Sequence, residues 1–131
     1  MSESAGNPLS AEEILARFIM RRDWIRKADN TVKQDAFIPP TDLELSVTRH
    51  QGISVDELNQ FGKAVANQRA LEFHGRADIE TKDVIKNGVK AVAWPLADNG
   101  NHAHIVGWPS EKESRKTIAQ ELAASSKFVP S

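Results

Sequence analysis

The strongest constraint on what this chain can fold into is a helix-start grammar that occurs three times. In Leu9-Ser10-Ala11-Glu12-Glu13-Ile14 a glutamate follows a serine by three residues. That is the capping-box spacing, in which each side chain satisfies the other's free backbone N–H, and Leu9 and Ile14 stand where a hydrophobic staple would. Ile53-Ser54-Val55-Asp56-Glu57-Leu58 repeats box and staple, and Ser110-Glu111-Lys112-Glu113 repeats the box behind the turn-forming Pro109. Three main helices are therefore predicted. Their apolar sides are Ile14, Leu15, Phe18 and Ile19; then Val55, Leu58, Phe61, Val65 and Leu71; then Ile118, Ala119 and Leu122, with Phe128 and Val129 tucking the chain end onto the core. Gly62 costs a helix about 1 kcal/mol relative to Ala, so its presence points to close packing against another element. A short helix over Thr81 to Asn87, stopped by Gly88, completes the set.

Strand-like runs lie between these starts. Leu43, Leu45 and Val47 alternate with Glu44, Ser46 and Thr48 behind Pro39-Pro40, the period of a half-buried strand. Val89 to Trp94 and Ala103 to Trp108 flank Asp98-Asn99-Gly100-Asn101, whose turn chemistry predicts an antiparallel hairpin with a long loop. Phe37-Ile38, and Ile25 with Val32 around Asp29-Asn30, are candidates for a further strand or an irregular arm. This order does not alternate regularly enough for a doubly wound sheet. It predicts an α+β fold: an antiparallel or mixed sheet of three to five strands, three main helices plus one short one, and helices mainly on one face.

At 131 residues, one compact domain is expected over residues 10–131, behind a flexible N-terminal tail over 1–9. Seventeen basic against eighteen acidic residues leave a net charge of −1, which excludes a global pull towards polyanions, so any such binding needs a local patch. The absence of cysteine removes disulfides, thiol nucleophiles and thiolate metal sites. No signal peptide and no apolar run of the roughly 18 residues needed to span a bilayer is present, so a cytoplasmic protein without membrane contact is expected.

Histidine is then the main candidate for chemistry. His102 and His104, two apart on a strand, project from one face. His50 ends the earlier strand beside Arg49, and His74 opens His74-Gly75-Arg76-Ala77-Asp78. Were the strands to pair, His50, His102 and His104 with Arg49 or Arg76 would have the residue types for metal-free phosphodiester cleavage, one imidazole as base, another as acid. A metal site from three histidines with Asp78 or Asp98 ranks below it, lacking a companion such as HExxH, and no metal or cofactor is assigned. No P-loop, dinucleotide fingerprint, calcium loop or serine nucleophile motif occurs.

Arg17, Arg21, Arg22, Arg26 and Lys27 surround Trp24 with one acid, Asp23, among them. On a continuing first helix they would form a cationic strip with an aromatic platform, suited to an acidic partner or a phosphate backbone. Trp94-Pro95 and Trp108-Pro109 read as plugs at the sheet rim. The favoured expectation is an accessory or interaction domain that binds a protein partner or a second copy of itself through the strip and an exposed sheet edge, nucleic acid being a further partner of the strip. The alternative is the histidine-based enzyme acting on a phosphate-containing substrate.

Overall fold

The computed structural model describes residues 5–131. Among them six strands form one sheet: β1 (Ile14–Ile19), β2 (Leu45–Arg49), β3 (Gly75–Glu80), β4 (Lys90–Ala93), β5 (His102–Val106) and β6 (Lys127–Pro130). Their order is β4-β5-β2-β1-β3-β6, and every neighbouring pair is antiparallel. Three α-helices accompany them, α1 (Val55–Gln68), α2 (Thr81–Lys86) and α3 (Lys112–Ser125), with 3-10 turns at Arg22–Trp24 and Gln34–Phe37. The chain is thus an α+β single domain, with a wider sheet than the three to five strands expected. No helix of the described residues is long and apolar enough to cross a membrane.

The first expected helix is a strand, and burial explains the misreading. β1 lies between β2 and β3 and is covered on both faces: Leu15 and Ile19 enter one core, Ala16 and Phe18 the other. A strand buried on both sides loses its period-two alternation and cannot be told from a helix by periodicity. Ser10 and Glu13 form no capping box there. The Glu13 carboxylate instead accepts from Arg49 Nε at 2.7 Å and Nη2 at 2.9 Å, and its carbonyl accepts from the Thr81 hydroxyl.

The second start holds as read: Ser54 Oγ accepts from the Glu57 N–H, and the Ser54 N–H donates to Glu57 Oε1. Its apolar stripe is shorter than expected, Leu58 being buried while Val55 and Leu71 are exposed. A Cβ at Gly62 would run into the Phe73 ring, the close approach the glycine allows. The third helix starts one residue late, behind Glu111, without a side-chain cap. The short helix is α2, and Gly88 follows it at φ +83.

β3 and β6 are the strands missing from the expected set. The Ala77 and Ile79 side chains face the core, while Arg76 and Asp78 meet each other on the opposite face. Phe37 lies in a 3-10 turn, and Ile25 with Val32 forms an isolated bridge. Of the expected tail, residues 1–4 lie outside the described residues. Residues 6–9 run along the outer edge of β4, bonded at Gly6 N–H to Ala93 O, Ala93 N–H to Asn7 O and Leu9 N–H to Ala91 O.

The two faces of the sheet are covered unequally. One packs Leu15, Ile19, Leu45, Val47, Ile79 and Ile105 against Phe37, α2 and α3 in the larger core. The other receives α1 over β1 and β3, through Leu58 and Ala66 against Ala16 and Phe18. Beyond α1 this second face is closed by the loop between β4 and β5, which folds back so that Asn99 Nδ2 donates to Thr48 Oγ1 at 3.1 Å. Two of the three helices therefore share a face, and α1 stands alone on the other.

Candidate functional site

Between α1 and the β4–β5 loop lies a cavity of about 470 Å³, within the range of about 300–1,000 Å³ usual for small-molecule sites. One wall is a single helical face, Phe61, Ala64, Val65, Gln68 and Arg69, at the spacing i, i+3, i+4, i+7, i+8. The opposite wall is Leu96, Asp98 and Asn99 of the loop. Arg17, Phe18, Ser46, Thr48 and His102 come from the sheet, and Met20, Arg21, Trp24 and Leu71 complete the lining.

Arg17 owes its position to a split in the sheet. β1 pairs with β3 along its whole length, but with β2 only at Leu15↔Arg49 and Ala16↔Thr48. Where that ladder stops, the guanidinium bridges the gap: Nε donates to Ala36 O at 2.7 Å and Nη1 to Ser46 O at 3.1 Å. Its carbon sits 5.5 Å from the centre of the Trp24 ring, a cation–π distance. Among the described residues no carboxylate lies within ion-pair reach of it. Burial, and the repulsion of Arg69 next, pull its pKa down from the ordinary arginine range to about 10.

His102 is the histidine of the lining. Its Nδ1 lies 2.9 Å from Trp94 O, and since a carbonyl only accepts, Nδ1 carries the proton and Nε2 the lone pair. His104 is its neighbour, with ring centres 4.8 Å apart, and packs under Trp94 at 5.0 Å. His104 Nδ1 is buried without a hydrogen-bond partner, and Glu44 Oε2 stands 3.7 Å away. Burial, before any charge effect, holds both imidazoles below their ordinary pKa of 6.5, so both are neutral at neutral pH.

The remaining expected site residues lie elsewhere. His50 Nε2 is 3.0 Å from Asp78 Oδ1, which also accepts from Arg76 Nε at 3.0 Å, while Arg76 Nη1 donates to Asn59. Arg49 is engaged by Glu13 and Gln51, and His74 has only Glu72, at 3.8 Å. The histidines thus lie in three places, His102 with His104, His50 with Asp78 and Arg76, and His74 apart, and of the four His102 lines the cavity. Among the described residues no group of three or more His, Asp or Glu side chains is placed to hold a metal ion.

The expected cationic strip is dispersed, because its helix is a strand followed by a 3-10 turn. Arg17 points inward, Arg21 pairs with Asp23 at 3.1 Å, and Arg26 Nη1 donates to Thr31 Oγ1 and Val32 O. Arg22 and Lys27 are exposed, and Trp24 is half-buried under Arg17. Of the tryptophan pair, Trp108 is a buried plug whose Nε1 donates to Ile105 O, whereas Trp94 remains 37% exposed.

Sequence reasoning missed Phe61, Arg69 and Leu96 as site residues. The signal for the helix wall was present: the apolar stripe of Phe61 and Val65 on α1 runs on into Gln68 and Arg69, polar groups on the same face. No protein-family model, no curated protein and no solved structure matches this chain, and its site stands on its own geometry.

Proposed function

We propose that this chain is a binding domain whose receptor site is the cavity between α1 and the β4–β5 loop, and that it takes up a small, largely apolar molecule there. The cavity itself carries the reading: about 470 Å³ walled by Phe18, Phe61, Val65, Leu71 and Leu96, with a few polar groups converging on it. It narrows the expected interaction domain. The features meant to hold a macromolecule are otherwise occupied: Arg21 by Asp23, Arg26 by the 26–32 turn, and the β4 edge by residues 6–9. The β6 edge is short and bounded by Lys127 and Pro130, features that discourage strand addition.

Two-histidine acid–base chemistry is less well supported than binding, since a base and an acid must both reach the substrate and His102 alone lines the cavity. A cysteine-free chain suits a reducing compartment, and we take the cytoplasm as its setting.

The test is a fluorescence titration with N-phenylnaphthylamine, an uncharged apolar probe. Saturable one-to-one binding is expected, and Ala64→Trp, which puts an indole into the cavity from an exposed helix position, should abolish it while leaving the far-UV circular dichroism unchanged. Absence of saturable binding, or binding unaffected by Ala64→Trp, would refute the reading.

A further inference from the structure

Resting on that reading of the cavity, we infer that its ligand is a monocarboxylate with an apolar body, its carboxylate gripped by the Arg17 guanidinium and its tail held between Phe61 and Leu96. The charges around Arg17 are unbalanced. A half-buried cation normally has a carboxylate beside it, because water answers only part of its charge. Arg17 has instead a second guanidinium, that of Arg69, as the charged group felt most strongly. Two guanidiniums facing one cavity, one of them with no carboxylate beside it, favour an anion there.

Donor capacity agrees. A guanidinium has five N–H donors; Ala36 O and Ser46 O each take one of those on Arg17, leaving Nη2 without a protein acceptor among the described residues. The planar fork that remains matches a carboxylate, and such charge-assisted bonds are about twice as strong as neutral ones.

Charge also sets the valence of the ligand. Three arginines line the cavity, but Arg21 is neutralised by Asp23, and the Asp98 carboxylate on the loop wall offsets one more. His102 is neutral at neutral pH, so one positive charge is left to answer. That suits one carboxylate and leaves a phosphate dianion overcharged. The rest of the lining is chiefly Phe18, Met20, Phe61, Val65, Leu71 and Leu96, which fits an alkyl or aryl body.

The experiment compares octanoate, octanol and octyl phosphate by isothermal titration calorimetry at neutral pH on the full chain. These probes share one tail and differ in the head. Octanoate is expected to bind about tenfold or more tightly than octanol, the gain of a charge-assisted fork over a neutral hydroxyl. Arg17→Met should remove that preference, and a preference it leaves intact would overturn the assignment of the carboxylate to Arg17. Octanol binding as well as octanoate would overturn the anion assignment and leave the cavity reading intact. Tighter binding of octyl phosphate would overturn the monoanion assignment. Binding of none of the probes, with N-phenylnaphthylamine also failing, would overturn both. Should Arg17→Met not fold, the octanoate-to-octanol ratio on the unaltered chain decides the matter by itself.

Discussion

The two faces of one sheet here do different work. Under α2 and α3 the sheet presents Leu15, Leu45, Ile79 and Ile105, and the helices answer with Val84, Ala119 and Leu122, all fully or almost fully buried. Under α1 the matching positions of β2 and β5 carry Ser46, Thr48, His102 and His104, and α1 covers only the β1–β3 end. The first face is filled by apolar side chains from several elements. The second is covered by one helix and one loop, and between them lies the cavity. Polar residues at sheet positions that should be apolar mark where close packing gives way to the cavity.

The largest effects expected sharpen this contrast. Leu122→Ala removes a side chain with no exposure from the filled face, and a loss of about 2–5 kcal/mol in urea unfolding is expected. Phe61→Ala, on the half-buried cavity wall of α1, should cost less stability than Leu122→Ala yet abolish N-phenylnaphthylamine binding. Equal losses of stability with binding retained would break the comparison, because both faces would then be ordinary core.

A smaller effect is a pH dependence written into the second face. His102 and His104 have pKa values lowered by burial, so below the ordinary value near 6.5 the unfolded chain takes up protons that the folded chain resists. Stability contributed by these two groups is therefore present above about pH 6.5 and lost as the pH falls towards their folded values. Glu44, Asp42 and Asp98 are the carboxylates that moderate the shift. Thermal melts of the unaltered chain and of His104→Gln across mildly acidic pH should show a shallower decline in the variant. Parallel declines would mean that His104 is not one of the groups responsible.

How much of this was legible in the sequence follows the same division. The Ser54–Glu57 box, the alternation of β2, the turn chemistry of Asp98 to Asn101 and the glycine after α2 are local signals, and each appears in place. β1 was not legible as a strand, because its burial on both faces erased the alternation and Glu13, three residues after Ser10, imitated a cap it does not make. β3 was hidden differently. Its Arg76 and Asp78 read as candidate site residues rather than as one face of a strand, although Ala77 and Ile79 already alternate with them; in the fold they pair with Asn59 and His50.

The site was legible only in fragments. His102, Arg17, Arg21 and Trp24 were each singled out, but for other surroundings: a histidine pair with two arginines and a solvent-facing strip. What joins them is long-range. The split between β1 and β2 draws Arg17 into the sheet 29 residues from Ser46, and Asn99 of the β4–β5 loop is laid onto Thr48 across 51 residues. No window of sequence contains either contact.

The most direct test of the whole account is a crystal structure of the unaltered chain with octanoate. The carboxylate is expected on the Arg17 guanidinium and the alkyl tail between Phe61 and Leu96. Octanoate bound outside the cavity, or inside it with the carboxylate turned away from Arg17, would contradict the account.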